Sequence, residues 1–417
     1  MKKNGYIHTM AYTDADWAAL WKSATSATNS VFVEDYNNLN ADTEKGKWLN
    51  HAPEKKTFSD SDKSKLKEEI EKWTSSQSPT HYFVKEVTVG LKDFDLPEGV
   101  VLIDTPGHAD FSAEMERVLR VLDCAVLVVS GTDGVQSHTL TLWRLLEHYR
   151  IPVFLFVNKM DLAGAERDAV LDELKARLSG EMVDFNAAAE TIAEEAALCD
   201  EAVLERYLES GSVPEADIRA LIAERKLFPC FFGSALKLEG IEDFLSALAK
   251  YAPVPSYPAA FGARIFKITR DGQGNRLTWL KVTGGSLRVR ALLRHSSGGE
   301  ASGEWEEKAD QLRVYSGVKF RTADEIPAGM VCAVTGLRHA RAGEGLGYET
   351  DWSGPVLEAA LSYQVFPADG TDPAAVWEDL RKLEEEDPSL RVVWNGENRS
   401  VHVRLMGDIQ LEILQRL

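Results

Sequence analysis

The chain has 417 residues, 44% of them hydrophobic, and a formal net charge of −19. That size and apolar content can fill roughly two to four separate cores, whereas so acidic a balance excludes sequence-independent binding of free nucleic acid, which needs a basic stripe to meet the phosphates. No run approaches the ~18 apolar residues of a spanning helix, so no membrane partner is expected. Met1-Lys2-Lys3 is followed by polar residues rather than the apolar core of a signal peptide. The four cysteines, Cys124, Cys199, Cys230 and Cys332, form no CxxC pair and mostly lie in or beside apolar runs. This is the usage of a reducing compartment and predicts a cytoplasmic protein.

In chain order, residues 1–80 read as an atypical helical and loop segment. It holds an apolar patch from Trp17 to Trp21, a polar stretch with Asn37, Asn38 and Asn40, and a charged helix from Lys63 to Trp73 with lysine and glutamate four apart. His81 to Val100 alternates as a strand through Phe83, Val87 and Val89. It leads into the apolar run Val100 to Ile103, read as a strand that ends in Asp104-Thr105-Pro106-Gly107-His108. Asp104 at such a strand end can face a magnesium-bound water. Gly107, lacking a Cβ, lets a backbone N–H approach a terminal phosphate at the positive end of the next helix. His108 is then placed to orient an attacking water, the catalytic role in this reading.

A second strand, Ile151 to Val157, runs into Asn158-Lys159-Met160-Asp161, again at the carboxyl end where open α/β sheets bind ligands. The carboxylate of Asp161 can accept from N1 and N2 of guanine, donors that adenine lacks. After the apolar Phe228 to Phe232 segment, Gly233-Ser234-Ala235-Leu236 can offer a backbone N–H to guanine O6. Each motif alone also fits an ordinary strand-to-helix turn; their order, each behind an apolar strand, is what points to one guanine nucleotide site. His108 also fits a solvated turn histidine.

Ile241 to Tyr251 reads as the closing helix of this α/β domain, and Pro253, Pro255 and Pro258 mark a boundary. From 260 to 350, short alternating stretches separated by DGQGN, TGG and SSGG turns predict a β-barrel. From Pro355 the pattern becomes strand, helix, strand, strand. Asp372 caps the helix, Pro373 takes its first position, and Val376, Leu380 and Leu383 form its buried stripe. The charges from Glu384 to Asp387 read as a solvated helix end. Despite the acidic total, local basic faces remain for an anionic partner: Arg288, Arg290 and Arg294, and Arg338 with Arg341. The first set also fits a half-exposed strand with Leu287, Val289 and Ala291 facing in.

One expected part is missing. A phosphate loop GxxxxGK[ST] cradles phosphates with backbone amides, neutralises them with its lysine and ligates Mg²⁺ with its hydroxyl. No segment has this pattern. Gly46-Lys47 in the stretch Ala41 to Trp48 comes nearest, but Trp48 stands in place of the hydroxyl and no apolar strand precedes it.

The stretches VVLIDTPGHADFSAEMERVLRVLDCAVLVVSGTDGVQSHT, PVFLFVNKMDLAG, LFPCFFGSALKLEGI, LEEEDPSLRVVWN and VHVRLMGDIQLEILQRL resemble the translational GTPases of the elongation factor G type. Within that group they are most similar to the tetracycline-resistance ribosomal protection proteins, over about residues 100–417. The interval of about 76 residues from Asn158 to Ser234 favours the protection-protein branch. LPEGVVLIDTPG near the junction weakly resembles dynamin-like GTPases, which suggests a join between two lineages.

The resemblance implies an α/β G domain with a P-loop NTPase-like sheet and a replaced N-terminal part (81–252), a β-barrel (260–350) and a partial α+β ferredoxin-like domain (355–417), the chain looking truncated there. It implies GTP or GDP with Mg²⁺ as cofactors, and an RGIT switch threonine upstream of Asp104 that the sequence lacks. Asp104, Thr105, Pro106, Gly107 and His108 would serve magnesium water and phosphate, and Asn158, Lys159, Met160, Asp161, Ser234, Ala235 and Leu236 the base. The expected activity is that of a ribosome-associated monomer with weak or absent GTP hydrolysis. A catalytically silent ribosome-interaction fragment and a dynamin-like chimera stand as alternatives.

Overall fold

The computed structural model describes residues 4–9, 55–59, 84–89, 103, 105, 111–295, 304–316, 319–352, 354–359, 361–367 and 371–416. Strands β1 (Asn4–Thr9), β2 (Lys55–Ser59) and β3 (Val84–Val89) form an antiparallel sheet in the order β2-β1-β3, with Tyr6 opposite Thr57 and Ile7 opposite Val87. β3 lies where alternation predicts a strand. β1 and β2 correct the expectation of helix and loop: such short segments gain their stability from cross-strand pairing, which no window of local sequence displays. The expected Lys63 to Trp73 helix and the Gly46-Lys47 turn lie outside the described residues.

The next elements alternate: α1 (Ser112–Leu119), β4 (Ala125–Ser130), α2 (Ser137–His148), β5 (Val153–Asn158), α3 (Arg167–Arg177), β6 (Met182–Asp184), α4 (Ala189–Leu198), α5 (Glu201–Ser210), α6 (Glu215–Ala223), β7 (Phe228–Phe232) and α7 (Ile241–Tyr251). The strands lie in the order β4-β5-β7-β6, with β6 parallel to β7. β5 is VFLFVN and β7 is FPCFF; both are covered on two faces, as strands inside an α/β sheet must be. Val153, Phe154, Leu155 and Val157 are 0% exposed. Helix α5 starts where Asp200 accepts from the amides of Ala202 (3.0 Å) and Val203 (3.3 Å), and stops at Gly211, whose φ of 71° ends the helix.

Ile103 corrects a second expectation. It is not in a strand but packs with the buried Val118, Val121 and Phe266, beside Trp279, Val331 and Trp352. An apolar run is buried as well by a side-chain cluster as by a sheet, and periodicity does not separate the two. Val100 to Leu102 and Asp104 lie outside the described residues.

The barrel contains β8 (Gly262–Arg270), β9 (Arg276–Gly284), β10 (Ser286–Arg288), β11 (Leu292–His295), β12 (Trp305–Lys308), β13 (Gln311–Ser316), β14 (Lys319–Ala323), β15 (Glu325–Pro327), β16 (Val331–Thr335) and β17 (Gly345–Gly347). Six of them form a sheet in the order β14-β13-β16-β9-β8-β17, and β10-β15 and β11-β12 make two ribbons. Ile265, Ile268, Leu280, Val282, Leu312 and Val334 fill its core at 0 to 1% exposure. Next come β18 (Leu361–Val365), α8 (Pro373–Glu386), a short 3-10 turn at Pro388–Leu390, β19 (Val393–Asn395), β20 (Ser400–Leu405) and α9 (Asp408–Arg416), with sheet order β18-β20-β19. Val401, Val403 and Leu405 pack beneath Leu380, with Val376 and Leu383 partly buried beside them.

The Asp372 carboxylate accepts from the Ala374 amide at 3.1 Å, with Pro373 in the first turn, as the sequence pattern requires. Asp372→Ala is expected to cost about 1 kcal/mol of local stability, the usual value of such a cap. Faster amide exchange in the first turn of α8, with α5 unchanged, is the measurement that checks it.

Helix α1 is tied to both the barrel and the last domain. Lys281 is buried, with its ammonium 2.6 Å from Asp123 and donating to the Val121 carbonyl at 2.9 Å; burial pulls its pKa down. Arg117 reaches Asp387 at 3.2 Å. Glu116, 1% exposed, accepts from the amides of Val356 (2.7 Å) and Leu357 (2.9 Å) and from the Tyr149 hydroxyl. A buried carboxylate is tolerable only when its lone pairs are met in this way.

Candidate functional site

The loops after β5 and β7 come together through backbone first. Gly233 N–H donates to the Val157 carbonyl and Met160 N–H to the Gly233 carbonyl, both at 3.0 Å. Asn158 adds a side chain to the junction: its Oδ1 accepts from its neighbour Lys159 N–H at 2.8 Å and from Ala235 N–H at 2.9 Å. Lys159 holds φ at +64°, a left-handed conformation that a lysine adopts at a cost. This bend turns the chain from the strand end toward Asp161.

Asp161 is the anionic centre. Its side chain is 12% exposed and its Oδ2 lies 3.5 Å from the Lys237 ammonium. Burial pushes the carboxyl pKa up, but hydrogen bonds from the Ser234 hydroxyl and its own backbone, with the Lys237 charge, outweigh it and hold the group below the usual carboxylate range. Ser234 is 1% exposed; its hydroxyl accepts from Lys237 N–H at 3.3 Å, and its backbone exchanges bonds with Glu239 at 3.0 and 3.1 Å. The result is an ionised acceptor held still at the carboxyl ends of two strands, suited to reading a pair of adjacent N–H donors.

Asn158, Met160, Asp161, Ser234 and Ala235 are therefore brought together, while Leu236 is 44% exposed and Lys159 is exposed beside it. Thr105 is half-buried in irregular backbone; Asp104, Pro106, Gly107 and His108 lie outside the described residues. Two contributors escaped the sequence reading. Lys237, three residues past Ser234, carries the signal of a cation in a turn facing an acid. Gly240 holds φ at +73°, and a Cβ there would lie 2.6 Å from the Phe232 carbonyl oxygen. Gly240→Ala is expected to cost about 1–3 kcal/mol and to displace the Ser234 turn. Urea unfolding together with loss of amide protection at Ser234 and Glu239 would show both.

Against known families, residues 40–254 match the elongation factor Tu GTP binding domain model. The chain is 30% identical to the tetracycline resistance protein TetP of Clostridium perfringens and 32% identical to the oxytetracycline resistance protein of Streptomyces rimosus. Each alignment covers 76% of this chain and 52% of the relative, so the chain spans about half the length of these proteins. A crystal structure of a Thermus thermophilus protein shares the fold, with a TM-score of 0.64 at 22% identity, over 74% of this chain and 54% of that one. The family match begins about sixty residues before Val100, where the motif-based resemblance starts.

Proposed function

The chain belongs to the family of the elongation factor Tu GTP binding domain, and from that premise we propose that it binds GTP and GDP and acts at the ribosome as a protein of the ribosomal protection kind. The observation that carries the reading is the ionised, immobilised Asp161 beside Ser234 and Asn158. Its two oxygens match guanine N1 and N2, and no other nucleobase offers that donor pair. Asn158 and the Ser234-Ala235-Leu236 turn would hold the base from the other side. The Ala235 amide is spent on Asn158, so a base would have to share or replace that bond.

Guanine nucleotide normally arrives with Mg²⁺, which supplies charge neutralisation at the phosphates. Asp104 is the residue suited to hold a magnesium water, Gly107 to approach the terminal phosphate and His108 to orient the attacking water. With no GxxxxGK[ST] loop in the sequence, most phosphate contacts would have to come from elsewhere. We therefore expect weak binding and little hydrolysis, in a cytoplasmic monomer. The same gap favours a second reading, a catalytically silent fragment that binds the ribosome without regard to nucleotide.

Titration of the purified chain with fluorescent GDP and GTP in Mg²⁺ tests the first reading: micromolar binding is expected. Ribosome pelleting that ignores nucleotide, with no detectable GDP binding, would select the second. A turnover equal to that of an ordinary translational GTPase would overturn the expectation of weak hydrolysis.

A further inference from the structure

The turn after β7 delivers two groups to one carboxylate. Ser234 is buried; its hydroxyl donates to Asp161 and accepts from the Lys237 backbone N–H at 3.3 Å. The Lys237 ammonium then returns to within 3.5 Å of Asp161 Oδ2. The turn is closed tightly enough to aim that side chain. Ser234 and Glu239 exchange backbone bonds, Leu238 N–H donates to the Ala235 carbonyl at 3.3 Å, and Leu238 holds a left-handed φ of +58°, uncommon for a bulky residue.

The backbone on the Asp161 side is fixed as well. Met160 N–H donates to the Gly233 carbonyl at 3.0 Å and Leu162 N–H to the Lys159 carbonyl at 3.1 Å. Arg167, where α3 begins, has its guanidinium 5.2 Å from the Phe232 ring centroid. What a fixed backbone does not settle is the plane of the carboxylate, because the terminal torsion of an aspartate is broad and roughly two-fold. That plane decides whether one oxygen or two face a pair of adjacent donors. Burial opposes the charge on Asp161; the Ser234 hydroxyl, the residue's own backbone and Lys237 together outweigh it, and of these three Lys237 is the charged one.

We propose that Lys237 is a positioning residue that determines base specificity, fixing the plane of the Asp161 carboxylate so that both oxygens meet N1 and N2 of guanine. This rests on the guanine reading above and names the residue that makes it bidentate. Each carboxylate oxygen has room for two donors, so Oδ2 serves Lys237 and a base at once. A lysine that merely fastened two loops would change stability and leave base preference alone.

The experiment compares the full chain with Lys237→Met, which keeps the stem without its charge, and Lys237→Arg, which keeps a cation. GDP and inosine diphosphate are titrated against each. Inosine has N1–H but no amino group at C2, so the ratio of the two affinities isolates the N2 bond. The ratio is expected to be about ten to a hundred in wild type, as for one hydrogen bond to a charged acceptor. With the lysine 36% exposed, the pair is partly screened. The ratio should therefore fall about two- to fivefold in Lys237→Met and return toward wild type in Lys237→Arg. Added salt should lower the wild-type ratio and leave the Lys237→Met ratio unchanged. In the nucleotide-free chain the Asp161 carboxyl, followed by NMR and identified by its loss in Asp161→Asn, should titrate at higher pH in Lys237→Met than in wild type. If Lys237→Met does not fold by circular dichroism, Lys237→Gln takes its place.

A base ratio and an Asp161 titration equal to wild type in Lys237→Met, with lower resistance to urea, would overturn the proposal and leave Lys237 a fastener of loops. So would a fall of both affinities by one factor, since the plane would then not depend on the cation. A shifted titration in a chain that binds neither diphosphate would sustain Lys237 as the group that positions Asp161 and overturn the guanine reading; an unshifted one would overturn both.

Discussion

Asp161→Asn is expected to lower GDP affinity at least a hundredfold and to raise affinity for xanthosine diphosphate. Hydrogen bonds to a charged acceptor are worth about 1.5–3 kcal/mol each, so losing two removes about 3–6 kcal/mol, or roughly two to four powers of ten. The asparagine amide would also turn a donor toward the guanine N2 donor. Xanthine carries a carbonyl at that position, and the same amide then finds a partner. Parallel titrations of wild type and variant with labelled GDP and xanthosine diphosphate check the exchange. Unchanged guanine affinity in the variant would mean that the base is not read by this carboxylate, whatever else the chain binds.

The same residue carries a pH signature. Because the folded carboxyl sits below its ordinary range, Asp161 contributes stability that is fully present above the unfolded value of about 3.9 and is lost as pH falls through the folded value. The asparagine variant lacks this contribution, so its acid unfolding should be less steep below about pH 4.

Glu116→Ala is expected to destabilise the structure by about 3 kcal/mol or more. The change orphans the amides of Val356 and Leu357 and the Tyr149 hydroxyl, and leaves Arg120, 3.5 Å from the carboxylate, without its counter-charge. Each buried unpaired group costs about 1–3 kcal/mol, and removing one partner of a buried ion pair costs about 3–5 kcal/mol. Exchange at the Val356 and Leu357 amides should accelerate more than exchange in the barrel core. Glu116→Gln, which keeps one acceptor oxygen of the same shape, should recover part of the loss. Amide exchange at 356 and 357 that is insensitive to both variants would show that the carboxylate does not hold this segment.

The two loops that compose the candidate site were legible as strand-end loops because their signals are local. Asn158-Lys159-Met160-Asp161 and Gly233-Ser234-Ala235-Leu236 each follow a strand that is apolar throughout, and a strand buried on both faces must release its polar residues at its end. The cap at Asp372 and the stripe through Leu380 were legible for the same reason, since capping and helical periodicity act within a few residues. The strands at Asn4–Thr9 and Lys55–Ser59 were not, because pairing between segments so far apart along the chain leaves little local trace.

What the sequence determined by itself was the α/β sheet followed by a β-rich region, the two polar loops at its strand ends, and the lack of a phosphate-loop pattern, all set by residue type and short spacing. The tertiary structure alone decided that Lys237 steadies Asp161 and that Ala235 N–H is engaged by Asn158. It also decided that Ile103 packs in a side-chain cluster and that Glu116 meets an amide 240 residues away. That the barrel cations Arg288 and Arg294 are neutralised by Glu325 and Glu306 was settled there too. These outcomes depend on which distant groups share a low-dielectric space once the chain has closed, and electrostatic and hydrogen-bond energies follow distance in space rather than distance along the chain.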